Sequence, residues 1–251
     1  MAFIDLNADL GETTAGNPVA DDAAMLEMVS SANVATGFHA GDPFSITQTV
    51  KAAVDNGVAV GAHIGYRDPA AFGRRFIDYD PAELAAETLY QIGALDALAR
   101  AAGTRVKYVK PHGALYNAIV HHKQQAQAVV EGIKAFGDLP VMLLPGGVAV
   151  DIAESAGLTV IREAFSDRGY NPDGTLVSRR LEGAVLHDPQ AVVERVLQIA
   201  DNGSITAIDG TVLSVDAQSV CTHGDSPGAV EMLRGVVAKL AEEGVEIRSF
   251  A

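Results

Sequence analysis

The sequence predicts an α/β fold, a single-domain (β/α) barrel spanning residues 1–251. Short β-branched runs alternate with amphipathic stretches from end to end, the pattern of parallel strands joined by crossover helices. Six to eight such runs in a chain of this length fit one closed sheet. Side chains able to do chemistry fall at the ends of the runs, where the loops of a parallel barrel share one rim.

The strand candidates are, in order, FIDLN, SANVATGF, GVAVGAHI, VKYVK, PVMLLP, TVIREAF, TVLSVDAQSVCTH and VEIRSF. Helix starts are marked between them. Asp42-Pro43, Asp80-Pro81, Asp188-Pro189 and Ser226-Pro227 each set a capping oxygen ahead of a proline whose fixed φ suits the first helical position. Glu83 offers Asp80 a capping-box partner. Gly57, Gly103, Gly203 and Gly244 follow helical patterns, as left-handed C-terminal caps do. The one long irregular segment, SDRGYNPDGTLVSRRLEGAVLHD, carries turns at Asn171-Pro172 and Asp173-Gly174, and a loop of that length is expected to act as a lid.

Composition narrows the function classes. Eighteen Lys and Arg against 32 Asp and Glu leave a net charge of −14, which repels phosphate backbones and anionic headgroups, so neither nucleic acid nor membrane is an expected partner. The longest apolar stretches, NGVAVGAHIG and LPVMLLPGGVAV, fall short of a bilayer span. The start, MAFIDLNADLGE, has acids where a secretory signal needs bases, so the expected location is the cytoplasm. A single cysteine, Cys221, suits a reducing compartment and cannot build a thiolate zinc site alone.

Asp5, Asn7 and Asp9 end the first strand candidate, with Glu12 just beyond. His39 and Asp42 follow the second, His63 the third, and Lys110 and His112 the fourth. Pro145-Gly146-Gly147 follows the fifth, Glu163 and Asp167 close the sixth, and His223 and Asp225 end a later one. Four of seven histidines thus share one predicted rim, more than structural hydrogen bonding alone explains. His121, His122 and His187 are assigned to solvated loops, and Ser226 to capping. Asp42 is equally well explained as a cap.

Asp9, His39 and His63 are the candidate ligands if a divalent metal is bound, since imidazole and carboxylate suit zinc, manganese or nickel. Arg74 and Arg75, in FGRR, present planar forks for a carboxylate or phosphate; a plain surface pair is the competing reading. The glycine turn in LLPGGVAVD is a weak anion-site candidate. Cys221 is read as a buried small hydrophobe before a nucleophile.

Six stretches, IDLNADLGE, SANVATGFHAGDP, GAHIGYRDPAAFGRRF, VKPHGALYN, REAFSDRGYNPDGTLVSR and VCTHGDSPGAV, closely resemble the LamB/YcsF family, in order from about residue 4 to the end. The family often has cysteine where Ala8 and Thr36 stand and proline where Ile64 stands, and TTAGNPVAD looks shortened. The resemblance implies a barrel of the glycoside hydrolase/deacetylase type with seven strands. It also implies ATP-dependent opening of 5-oxo-L-proline to L-glutamate by the A subunit of 5-oxoprolinase, in a complex with two further subunits, B and C; self-association stays open. On that reading Asp9, His39, His63 and His112 carry the catalysis, and Asn7, Arg75, Lys110, Tyr116, Glu163 and His223 bind substrate. The alternatives are a metal-dependent amidase or carbohydrate deacetylase, and a non-catalytic lactam- or sugar-binding subunit.

Overall fold

The computed structural model describes residues 3–224 and 228–251. Seven parallel strands close on themselves: β1 (Phe3–Leu10), β2 (Ser31–Ala35), β3 (Ala59–Ile64), β4 (Tyr108–Pro111), β5 (Val141–Leu143), β6 (Val160–Phe165) and β7 (Ser219–Cys221). Each pairs with the next in chain order, and β7 returns to β1 with Asp5 opposite Ser219 and Asn7 opposite Cys221. Eight helices occur among the described residues: α1 (Asp22–Leu26), α2 (Pro43–Asp55), α3 (Pro81–Ala101), α4 (Gly113–Ala118), α5 (Lys123–Phe136), α6 (Val148–Ser155), α7 (Pro189–Asn202) and α8 (Ala229–Glu242).

Local chemistry places the helices much as expected. Asp42, Asp80 and Asp188 accept hydrogen bonds from the first-turn amides of α2, α3 and α7, each followed by proline. The reciprocal capping box forms at Asp42 and Ser45; Asp80 accepts from Ala82 and Glu83 amides without a return bond. Ser226-Pro227 and Asp225 lie outside the described residues, and α8 begins at Ala229 behind Gly228. Gly57, Gly103, Gly203 and Gly244 all have φ between +57° and +86°, the left-handed region expected of them.

Two strand expectations change. The run TVLSVDAQSVCTH is not continuous. Val212–Ser214 pairs antiparallel with Ser204–Thr206 outside the barrel, Asp216 turns the chain at φ +45°, and only Ser219–Cys221 enters the barrel. In VEIRSF only Glu246–Ile247 forms a strand, beside Phe3 and Ile4 on the outer edge of β1.

The main apolar core lies between barrel and helices, whereas the barrel interior is largely polar. A small apolar cluster separate from that core is formed by Tyr108, Met142 and Ile161, packed against Ala59 and Phe250 of the carboxyl-terminal tail. Above and beside them the hydroxyls of Ser30, Ser31 and Ser219 donate to buried Asp5, the Asn7 amide to Ser219 Oγ (2.7 Å), and the Asn33 amide to Asn7 Oδ1 (2.7 Å) and Asp9 Oδ1 (2.8 Å). The Tyr108 hydroxyl donates to Asn33 Oδ1 at 2.7 Å. Burial raises the Asp5 carboxyl above its ordinary value although three hydroxyls pull the other way.

Gly61 opposes Tyr108 in the β3–β4 register, and a methyl group on Gly61 would overlap the Tyr108 ring. Gly61→Ala is therefore expected to cost about 1–3 kcal/mol in urea or thermal unfolding. Gly93→Ala, in α3 with open space around it, is expected to be neutral or to stabilise by up to about 1 kcal/mol.

Candidate active site

The carboxyl ends of β1, β3, β4, β6 and β7 line a cavity of about 580 Å³, and the β2–α2 connection packs His39 behind its imidazole wall. β1 supplies Asp9 and, past a turn at Gly11 (φ +70°), Glu12. The β2–α2 connection supplies His39, β3 ends in His63, β4 carries Lys110, and His112 stands at the start of α4. Phe165, at the end of β6, and His223, just beyond β7, complete the wall; Glu163 lies deeper.

Lys110 is 2% exposed and sits among Asp9 Oδ1 (3.0 Å), Glu163 Oε1 (2.7 Å), Asn7 Oδ1 (3.1 Å) and Cys221 Sγ (3.2 Å). The Glu163 contact is an ion pair rather than a well-directed hydrogen bond. Burial pushes the Lys110 ammonium toward losing its proton, but Asp9 foremost among its neighbours holds it well above the ordinary lysine value. Burial likewise pushes Asp9 up, and His63 and Lys110 overcome this and hold its carboxyl well below the usual range. The result is a buried ammonium with carboxylates on two sides. Burial keeps the Cys221 thiol protonated and Tyr116 un-ionised, the latter helped by Glu163.

Beside this group three imidazoles surround one carboxylate. Glu12 Oε1 lies 3.0 Å from His39 Nε2, 3.4 Å from His112 Nδ1 and 3.8 Å from His63 Nε2. His39 and His112 stack at 3.7 Å. Gly65 and Gly73 leave the room for this, since a methyl group on either would come within 2.9 Å of His39. Burial lowers the His39 and His112 pKa values well below the ordinary histidine value and raises that of Glu12. Nitrogen and carboxylate donors at these separations suit a divalent transition ion. The set differs from the expected Asp9, His39 and His63: His39 faces Glu12, and Asp9 meets only His63, Oδ2 to Nε2 at 3.3 Å. Asp9 belongs instead to a second donor group with Cys221 and His223.

The structure thus brings Asn7, Asp9, His39, His63, Lys110, His112, Tyr116, Glu163 and His223 into or against one cavity. Arg75 stands apart. Its guanidinium is 67% exposed and its Nε donates to Asp68 Oδ2 at 3.0 Å, with a second bond to the other oxygen. Arg74, over the Phe72 ring, lines the cavity in its place, together with Arg168, Arg179 and Arg180. Those last three come from the long segment after β6 and were not singled out by sequence reasoning, although the expected lid was the place to look. Arg168 ties that segment down by donating to the carbonyls of Ala184 (3.0 Å) and Val177 (2.7 Å). The Pro145-Gly146-Gly147 turn does not line the cavity, Asp42 caps α2, and His122 caps α5.

A family model described as the LamB/YcsF family matches residues 4–251. A Corynebacterium jeikeium protein named as the A subunit of 5-oxoprolinase is 68% identical over 98% of this chain and 96% of its own. A Kocuria rhizophila protein of the same name is 58% identical over the whole of both. The crystal structure of a lactam utilization protein from Thermus thermophilus superposes with a TM-score of 0.94 at 42% identity, covering 99% of this chain and all of that one. The T48 deacetylase solved with its substrate, 15% identical with a TM-score of 0.51 over 98% and 87% of the two chains, shares the fold.

At the cavity wall His223 Nδ1 lies 2.9 Å from Asp167. Burial opposes the His223 charge, but Asp167 raises its pKa; burial likewise opposes the Asp167 charge, and His223 lowers that pKa. A raised histidine value gives stability fully present below the unfolded value of 6.5 and lost as pH rises through the folded one. A lowered aspartate value gives stability present above 3.8 and lost as pH falls through the folded one. Asp167→Asn is therefore expected to cost about 3 kcal/mol between these limits, the difference from the parent shrinking as pH climbs above 6.5. Thermal unfolding of both across pH checks it.

Proposed function

The chain belongs to the LamB/YcsF family, and on that premise we propose that it serves as the A subunit of an ATP-dependent 5-oxoprolinase, opening the lactam of 5-oxo-L-proline to L-glutamate in the cytoplasm with two partner subunits, B and C. The full-length match to relatives named for that activity carries the reading. The cavity supports it, because a lactam is a small polar ring whose opening needs a base, an acid and compensation for developing charge.

An unstrained lactam is a resonance-stabilised amide, so ATP as co-substrate of the complex has a clear purpose. Transfer of its γ-phosphoryl group to the carbonyl oxygen releases ADP and activates the ring carbon. Water then adds to that carbon, the ring C–N bond breaks as the nitrogen takes a proton, and a second water releases phosphate from the acyl phosphate. Asp9 is the base for the first water: it is held ionised, reaches the cavity, and lies outside the Glu12 group. His223 is the acid. Asp167 holds its Nδ1 and favours its protonated form, leaving Nε2 to donate to the departing nitrogen.

Lys110 acts as counter-ion to Asp9 and Glu163 rather than as a clamp on the substrate carboxylate, because its protons already face Asn7, Asp9 and Glu163. The anionic ends of substrate and phosphoryl group fall to the arginines of the mouth, Arg168 and Arg179 among them, instead of Arg75. Lys110 and Asn33 orient Asp9, and His39 holds Glu12.

The second reading, a metal-dependent deacetylase, is favoured by the imidazole group and the shared fold. Assays of 5-oxoproline hydrolysis with and without ATP and the two partner subunits decide between them. Activity that needs all components is expected, and ATP-independent release of acetate from acetylated sugars by this chain alone would sink the proposal. In the full complex Asp9→Asn is expected to lower kcat by about 10² to 10⁴ with the thermal midpoint nearly kept; normal turnover would remove Asp9 from the scheme.

A further inference from the structure

We infer that Glu12, His39, His63 and His112 form a closed four-ligand site for one divalent transition ion of the zinc type, which ties together the loops at the ends of β1, β2, β3 and β4. Hydrogen-bond geometry points to the site, whatever the substrate.

The outer nitrogens fix the tautomers. His63 Nδ1 lies 3.1 Å from the Lys110 carbonyl and His112 Nε2 lies 2.8 Å from the Phe72 carbonyl. A carbonyl only accepts, so both of those nitrogens carry protons. In neutral rings the inner nitrogens, His63 Nε2 and His112 Nδ1, are then bare lone pairs, and they face each other at 3.0 Å. Two lone pairs beside a carboxylate oxygen repel unless a cation lies among them. His39 adds a third nitrogen at 3.0 Å from Glu12; its outer Nδ1 has no partner and leaves the tautomer of that ring free to present Nε2 as a lone pair.

The separations match a metal better than a proton. Four of the six donor–donor distances are 3.0, 3.0, 3.4 and 3.8 Å. They bracket the edge of about 3.3 Å that a tetrahedron with bonds of about 2.05 Å requires. A proton shared by His63 and His112, with a second donated from His39 Nε2 to Glu12, would account for two of these contacts, whereas one ion accounts for all four. The outer bonds to Lys110 and Phe72 carbonyls are those that orient ligating imidazoles in metal sites. With all four positions filled by protein the ion resembles a structural centre; Asp9 also approaches His63 Nε2 (3.3 Å), but it groups with Cys221 and His223, and its other oxygen is held by Lys110 and Asn33.

The test uses the full chain purified with a chelator, dialysed, and titrated with Zn²⁺ by calorimetry and with Co²⁺ by visible absorption. One ion per chain, a tetrahedral-type Co²⁺ spectrum and a higher melting temperature with Zn²⁺ are expected. His39→Ala and Glu12→Gln are each expected to weaken Zn²⁺ binding about 100-fold, and Asp9→Asn to change it by less than about threefold. Glu12→Gln, close in shape to the parent, decides the matter if His39→Ala fails to fold. No stoichiometric ion, or binding lost in Asp9→Asn but kept in Glu12→Gln, overturns the site. So does nitrogen-15 NMR showing an imidazolium proton between His63 and His112 in excess Zn²⁺. Turnover is not a readout, so failure of the 5-oxoprolinase reading leaves this result intact.

Discussion

A lysine ammonium buried on the axis of a barrel is the constraint from which much else follows. An isolated charge in such a place costs several kcal/mol in lost hydration. Lys110 avoids this because Asp9, Glu163 and Asn7 reach it from β1 and β6. Those partners then need partners, and the chain of amides and hydroxyls through Asn33, Ser219 and Asp5 supplies them down the interior. The usual layers of branched aliphatic side chains give way to these polar groups, beside a small cluster around Tyr108 and Phe250. The polar axis therefore serves as support for the rim: removing any member leaves a buried donor or acceptor unpaired.

The rim divides into regions of different electrostatic character. Deep in the cavity the acids balance one buried ammonium. Against one wall three imidazoles gather on Glu12, and burial keeps His39 and His112 uncharged. At the mouth Arg168 and its neighbours from the long segment bring cationic groups to a protein whose net charge is −14. A chain that repels polyanions at long range thus presents guanidinium groups locally, an arrangement suited to a small anionic substrate within the cavity and unsuited to nucleic acid. Two glycines, Gly65 and Gly73, make the imidazole wall possible by letting backbone approach the stacked rings where any side chain would collide.

Much of this was legible in the residues. Strand and helix order, the aspartate-proline starts, the left-handed glycines and the gathering of His39, His63, His112 and His223 on one rim follow from local sequence, because periodicity and capping are properties of neighbouring residues. What residue types do to one another across the barrel is different. Arg74 and Arg75 are indistinguishable as a dipeptide, and only folding shows that Asp68 engages the second while the first lines the cavity. Glu12 looks like a loop acid until Gly11 turns it into the imidazoles.

By itself, then, the sequence determined the α/β class, the gathering of titratable side chains at one rim and the inventory of groups available there. The tertiary structure alone decided the pairings: Lys110 with Asp9 and Glu163, His223 with Asp167, and Glu12 with three histidines. The physical reason is range. Backbone conformation responds to neighbours a few positions away, whereas an ion pair between residues more than a hundred positions apart in the chain, as in Lys110 and Asp9, depends on closure of the whole sheet and on the strand register that sets which side chains share a layer.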